Sequence, residues 1–245
     1  MVDLQFADAP LAALYDAVCP RAERRDFDFY LPLAMAAGAV LDVGCGTGSF
    51  LHEVRQAGHT GRLCGLDPAA GMMQQARRHP GIEWVEGDLV SAAFKNEFDL
   101  IIMTGHAFQA FVEDREVRQA LAAIRAALTA TGRFAFETRN PAARAWEQWP
   151  TALAEVTGPD GQPIKVTWRL EAPFDGRTVT FTQSYSSPGW SAPRDSLSTL
   201  RFLDARELAI FLAEAGLRIE AQFGDWDRTP LTDRSREIIT IAQQR

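Results

Sequence analysis

The feature that most limits what this chain can become is residues 40–49, Val-Leu-Asp-Val-Gly-Cys-Gly-Thr-Gly-Ser. A short apolar run ends in three glycines at alternate positions, and a helix-like pattern follows at once. That order predicts a buried strand, a turn almost without side chains, and a helix opening behind it. Such a turn aims backbone N–H groups and a helix N-terminus at a ligand that comes close to the main chain.

Around the turn, two kinds of pattern divide the 245 residues. Residues 1–37 read as a helical lid of two helices, about 10–18 and 21–37, the first stopped by Pro20. Strands at 40–43, 61–66, 82–86, 98–103 and 133–137 alternate with helices at 49–57, 69–78 and 113–128. This predicts right-handed βαβ crossovers and an α/β fold with a parallel sheet covered on both faces. Leu100-Ile101-Ile102-Met103, apolar throughout, suits a strand buried on both sides. Past Asn140-Pro141 a short helix over 142–149 is expected. Segments 153–156, 164–171, 178–185 and 196–203 then alternate between apolar and polar. Turn signals at 158–161, Asp175-Gly176 and Pro188-Gly189 separate them, so residues 141–203 read as an inserted antiparallel β meander. One face of so short a sheet needs a cover; the meander is expected to roof a pocket and to offer a homodimer contact. Asp204 with Glu207 marks a helix start, and 217–223 and 237–242 supply two last strands. Residues 38–140 and 204–245 thus form the main domain.

Composition narrows the function classes. A formal charge of −7 opposes a nucleic-acid partner, and Arg169, Arg177 and Arg201 read as solvated positions rather than a phosphate track. No apolar run reaches the length of a membrane span and the N-terminus lacks a signal-peptide pattern, which predicts a cytoplasmic chain without membrane contact. Cys19, Cys45 and Cys64 fall in no metal-binding spacing. His52, His59 and His79 lie in helix or loop settings and read as surface residues.

The acidic residues at strand ends point to the ligand. Asp67 closes the second strand, placed to accept from both hydroxyls of a ribose. Asp88 closes the third, placed to accept from an adenine amino group. Together with the glycine turn they specify an adenosine-containing cofactor. Asp42, just before the turn, favours a cation over a diphosphate. Gly44, Gly46 and Gly48 alternate, whereas a dinucleotide turn wants its third small residue one place later. Ser49 stands there, so an NAD-dependent oxidoreductase stays as an alternative.

In residues 41–48, in Gly65-Leu66-Asp67-Pro68 with Met72 and Ala76-Arg77, in Glu86-Gly87-Asp88-Leu89 and in Phe98-Asp99-Leu100-Ile101, the chain resembles the class I S-adenosylmethionine-dependent methyltransferases. The resemblance spans about 38–138 and resumes from about 204. It implies a seven-stranded, mostly parallel, doubly wound sheet whose last strand is antiparallel, with the meander as a substrate-covering insert. It also implies S-adenosyl-L-methionine as cofactor and methyl transfer to a small-molecule acceptor with an N or O nucleophile. By position, Gly44, Gly46 and Gly48 would wrap the methionine part and Asp42 its ammonium. Asp67 would hold the ribose with Pro68 and Met72 nearby, Asp88 and Leu89 would meet adenine, and Thr104 would border the sulfonium. His106, at the end of the fourth strand, is the candidate base, and Tyr15, closing the pocket from the N-terminal helix, is the second candidate catalytic residue. Glu137, Arg139 and Trp226, at later strand ends, are the expected rim of the acceptor pocket, with an Arg139–Asp225 ion pair as the competing reading. A non-catalytic protein that binds S-adenosylmethionine or S-adenosylhomocysteine is the remaining alternative.

Overall fold

The fold is that of a computed structural model describing residues 2–149, 152–158 and 161–245, with no side-chain description at 152 and 153. Seven strands form one sheet in the order β10-β11-β5-β4-β1-β2-β3. They are β1 Ala39–Val43, β2 Arg62–Asp67, β3 Glu83–Glu86, β4 Phe98–Met103, β5 Leu128–Arg139, β10 Leu217–Phe223 and β11 Glu237–Gln244. Only β11 runs against the rest, pairing antiparallel with both β5 and β10. The mixed seven-stranded α/β sheet is therefore as the sequence predicts.

Helices sheathe both faces. On one side α8 (Asp114–Ala127) and α9 (Ala205–Glu214) pack on Leu41, Ile101, Phe134 and Phe136. On the other, α4 (Arg25–Met35) and α5 (Ser49–Gln56) cover Val40, Leu100, Ile102 and Ile239. Ile101 and Ile102 are both fully buried, as residues pointing to opposite faces of a covered strand must be. Asp204 accepts from the Glu207 amide at 2.7 Å and Glu207 returns the bond at 2.9 Å, the reciprocal cap expected there.

The N-terminal segment departs from its two expected helices. It is broken into α1 (Leu4–Ala7), α2 (Ala9–Ala12) and α3 (Tyr15–Val18), then a 3₁₀ turn at Arg21–Glu23, before α4 begins. Asp8 ends α1 and caps α2 by accepting from Leu11, which resets the axis. Leu11, Leu14 and Val18 still share a side, because all three pack on the second sheet. The helix expected over 142–149 is two 3₁₀ turns, Pro141–Ala143 and Ala145–Gln148, parted by Arg144 in the left-handed region.

The meander is a four-stranded antiparallel sheet: β6 Ala152–Thr157, β7 Pro163–Leu170, β8 Thr178–Ser186 and β9 Arg194–Arg201. Of the turn signal at 158–161, Pro159 and Asp160 lie outside the described residues. Its inner face is covered twice. Ile164, Val166 and Tyr185 meet the N-terminal helices, while Trp146 and Trp149 pack with Phe181 and Trp168. Arg201 corrects the solvated reading: it is 5% exposed and pairs with Asp114 at 2.7 Å, tying the insert to α8. Arg177 pairs with the same carboxylate and Arg169 with Glu171. No helix among the described residues is long and apolar enough to cross a membrane.

Candidate active site

β1 has β2 on one side and β4 on the other, so strand order reverses beside it. Ligands of open α/β sheets bind at this crevice, outside the carboxyl ends of the strands. Here a narrow cavity lies between the turn after β1 and Thr104-Gly105 after β4, with Tyr15, Arg24 and Phe27 closing it from the N-terminal segment. That segment is fastened down. The Thr47 hydroxyl donates to Asp16 at 2.8 Å, and Arg21 bridges Asp28 at 2.6 Å and Glu53 at 2.5 Å.

The three turn glycines all have positive φ but serve different needs. A Cβ on Gly48 would stand 2.3 Å from the Trp84 ring, so this glycine makes room for packing beneath the turn. A Cβ on Gly46, which lines the cavity, would meet nothing within 4 Å. Asp67 braces the turn, accepting from the Gly46 amide at 2.9 Å and the Ala69 amide at 2.8 Å. Burial raises its pKa and those two bonds oppose the rise. Two amide bonds leave each oxygen a lone pair for a hydroxyl donor.

Asp42 is the anomaly. It is fully buried, and neither carboxylate oxygen has a hydrogen-bond partner. Burial pushes its pKa up to about 8, against the pull of the Arg24 guanidinium. Buried polar groups are nearly always paired, so an orphaned carboxyl behind a glycine turn marks a place for a cation. Arg24 stands opposite in charge: it chelates Asp26, lies 4.3 Å over the Phe27 ring and reaches Thr104 Oγ1 at 3.5 Å.

Asp88 caps the short helix α7 (Leu89–Ala92), its Oδ1 accepting from Val90 at 2.9 Å and Ser91 at 2.8 Å. These amides hold its pKa below the ordinary carboxylate range. Leu89 is buried in the main core and Pro68 is exposed. Met72, in α6 (Ala70–Ala76), is buried against Ala12 and Ala69, with Tyr15 and Phe6 alongside.

The later strand ends form a second cluster. His106 has φ +63°, and its Nε2 lies 2.8 Å from the Glu237 carboxylate at the start of β11. Glu137 is completely buried; it accepts from the His106 amide at 2.8 Å and from the Tyr30 hydroxyl at 2.5 Å. Desolvation raises its pKa to about 8. Arg139 donates to Gln109 at 2.9 Å and lies 5.4 Å over Trp149. Trp226 packs elsewhere, on Phe29 and Tyr30 of α4. The competing Arg139–Asp225 pair is not formed, since Asp225 meets Arg25 at 3.4 Å. Burial pushes the Tyr15 hydroxyl up to about 12, so it stays protonated. His59 is not the surface residue the sequence suggests: it is 6% exposed and bonds the Ala37 carbonyl at 2.7 Å.

Sequence reasoning missed Arg24, Asp16, Tyr30 and Glu237. Only Glu237 had a usable signal: an antiparallel last strand begins at the edge where the parallel strands end, so its first residue faces the site.

Comparisons with known proteins bear on the fold and the family. A family model described as a methyltransferase domain matches residues 40–132. The cypemycin N-terminal methyltransferase of a Streptomyces species is 25% identical over 218 residues, covering 84% of this chain and 82% of that protein. Among solved structures, an S-adenosylmethionine-bound amino pentose methyltransferase of calicheamicin biosynthesis from Micromonospora echinaspora superposes with TM-score 0.70. It is 23% identical, covering 95% of this chain and 97% of the other. A sugar N-methyltransferase from Streptoalloteichus gives TM-score 0.72 at 18% identity, covering 94% and 93%.

Proposed function

The chain belongs to the class I S-adenosylmethionine-dependent methyltransferases, and from that premise we propose that it methylates a small molecule at a nitrogen or oxygen nucleophile. When bound, the cofactor supplies an electrophilic methyl group on a sulfonium. The observation that carries the cofactor end is the orphaned Asp42 carboxyl, buried behind the glycine turn, with Arg24 lining the cavity in front of that turn. An amino-acid end group is a zwitterion. Its ammonium would meet Asp42, its carboxylate would meet Arg24, and Gly46 leaves its Cβ space for the chain between them.

Asp67 would take the ribose, Asp88 and Leu89 the adenine, with Pro68 and Met72 flanking and Thr104 bordering the sulfonium. Asp88 then combines ligand binding with capping, through the carboxylate oxygen that α7 leaves free. Tyr15 would close the methyl site, its neutral hydroxyl available as a donor. Arg139 would border the acceptor, and Trp226 would act on the rim only through Tyr30. Methyl transfer is an in-line displacement, so the protein must align the acceptor and relieve it of a proton. His106, following Gly105 of the cavity wall, is the group we assign to that proton.

The small-molecule reading is supported by the coverage of the site, since Tyr15, Arg24 and Phe27 close the cavity from the N-terminal segment and the meander packs on the helices of that same segment. The names of the N-terminal and sugar N-methyltransferase relatives favour an amine. Incubating the protein with methyl-labelled S-adenosylmethionine and cell extract, then identifying labelled products by mass, tests this. Label is expected in the small-molecule fraction; label confined to protein or nucleic acid would reject it. No transfer to anything, with cofactor binding intact, would favour the binding-only alternative.

A further inference from the structure

We propose that Glu237 and Glu137 are positioning residues that hold His106 from two sides and leave its Nδ1 as the atom that takes the acceptor's proton. This rests on the reading of His106 as the proton-handling group of methyl transfer. Gly105 and His106 follow one another with φ of +64° and +63°. For histidine that conformation is uncommon and persists only when surroundings enforce it. The enforcement is visible. Glu137, buried in β5, grips the His106 amide at 2.8 Å while Tyr30 of α4 holds its other oxygen. Glu237 grips the ring at 2.8 Å through Nε2.

A carboxylate only accepts, so Nε2 carries the hydrogen, and a neutral imidazole then has its lone pair at Nδ1. Nδ1 has no partner among the described residues and is not sealed off, unlike the Nδ1 of His59, which is buried and unpaired. The charged groups facing the ring are Arg139 and Glu137 from β5, Glu237 from β11 and Asp26 from α4. Burial and Arg139 lower the His106 pKa and Glu237 opposes them, which keeps the ring a neutral base at pH 7. An ammonium-form acceptor would give its proton to Nδ1. Its freed lone pair would form the bond to the methyl carbon as the carbon–sulfur bond breaks, the sulfur keeping that electron pair. The proton would leave Nδ1 to water.

The test uses full-length chain with ¹⁵N-labelled histidine, long-range ¹H–¹⁵N spectra, and His106→Gln to assign the ring. The expected result is the Nε2–H tautomer for His106, with a mixture of tautomers in Glu237→Gln. His106→Gln should lower kcat about 100-fold and Glu237→Gln about tenfold, with KM for the cofactor unchanged. Glu237→Gln should also move the acid limb of kcat/KM to lower pH, and the double variant should be no slower than His106→Gln alone. If Glu137→Gln fails to fold, Tyr30→Phe loosens the same grip and should lower kcat with the cofactor KM unchanged. An Nδ1–H tautomer in a chain that transfers methyl groups would overturn the proposal alone, as would a tautomer indifferent to Glu237. A wild-type chain that transfers none would overturn it together with the methyl-transfer reading.

Discussion

The two sheets are covered in opposite ways. The central strands of the seven-stranded sheet are apolar on both faces and sheathed by helices, of which α4 and α5 directly flank β1 in the chain and α8 follows β4. The meander alternates, and its cover comes from far away: the Gln5 amide donates to Ser196, 191 positions along, and the Tyr185 hydroxyl to Gln5, 180 positions back. The half that carries the glycine turn is thus organised by local sequence, and the inserted half by distant segments meeting. A motif can specify the first; only the assembled fold specifies the second.

Trp146→Ala should give the largest effect and would separate the halves. The indole is 4% exposed, 4.4 Å from the Phe174 ring and 4.7 Å from Phe202. Emptying such a site costs about 3–5 kcal/mol. Hydrogen exchange should quicken in residues 163–202 while cofactor affinity holds. Equal loosening of β1 and β4 would show the halves to be one cooperative unit.

Asp42→Asn probes the other half. Removing one partner of a buried charged pair costs about 2–5 kcal/mol, so calorimetry should find S-adenosylmethionine bound from about 30-fold to several thousandfold more weakly. Without cofactor the sign reverses. The native carboxyl, with its pKa raised to about 8, binds a proton that the unfolded chain has released. Wild-type stability therefore falls as pH climbs from about 4 toward 8, by up to about 1.4 kcal/mol per unit for this group, and Glu137 adds a similar slope. Asp42→Asn should flatten part of that fall and leave apo stability higher at pH 8 than wild type. Wild-type binding at pH 7 should release a proton, visible as a heat that changes with buffer ionisation enthalpy.

The glycines sharpen the contrast within the turn itself. Gly48→Ala drives a Cβ into Trp84 and should destabilise the fold by about 1–3 kcal/mol. Gly46→Ala meets no protein atom and carries only the left-handed backbone cost of about 1–2 kcal/mol. Its loss should fall mainly on the cofactor. Thermal melts with and without S-adenosylhomocysteine would reverse this assignment if ligand shifted Gly46→Ala as far as wild type.

Legibility in the sequence followed the same division. β1, β2 and β4 lie within a residue or so of their expected places, because apolar runs bounded by glycine and aspartate are local signals. The meander strands were legible as alternation, yet nothing local said that Leu11, Leu14 and Val18 would cover them. Glu137 reads as a rim residue by its strand end, but the fold buries it against Tyr30, a partner set by how α4 crosses the sheet. Arg24 follows a 3₁₀ turn no periodicity foretold, so its approach to Thr104 had no sequence signal.

Leu197 carries the smallest expected effect and bears on the homodimer expected through the meander. It is 59% exposed on the outer face, where its neighbours bond among themselves: Thr180 to Thr199 at 3.0 Å and Ser184 to Asp195 at 2.6 Å. A stable interface needs a contiguous apolar centre, and one leucine among satisfied hydroxyls does not make one. Leu197→Asp should therefore change stability by less than about 0.5 kcal/mol and leave the mass measured by light scattering unaltered. A wild-type dimer that this substitution splits would show that the polar face of the insert is an interface between two copies of the chain.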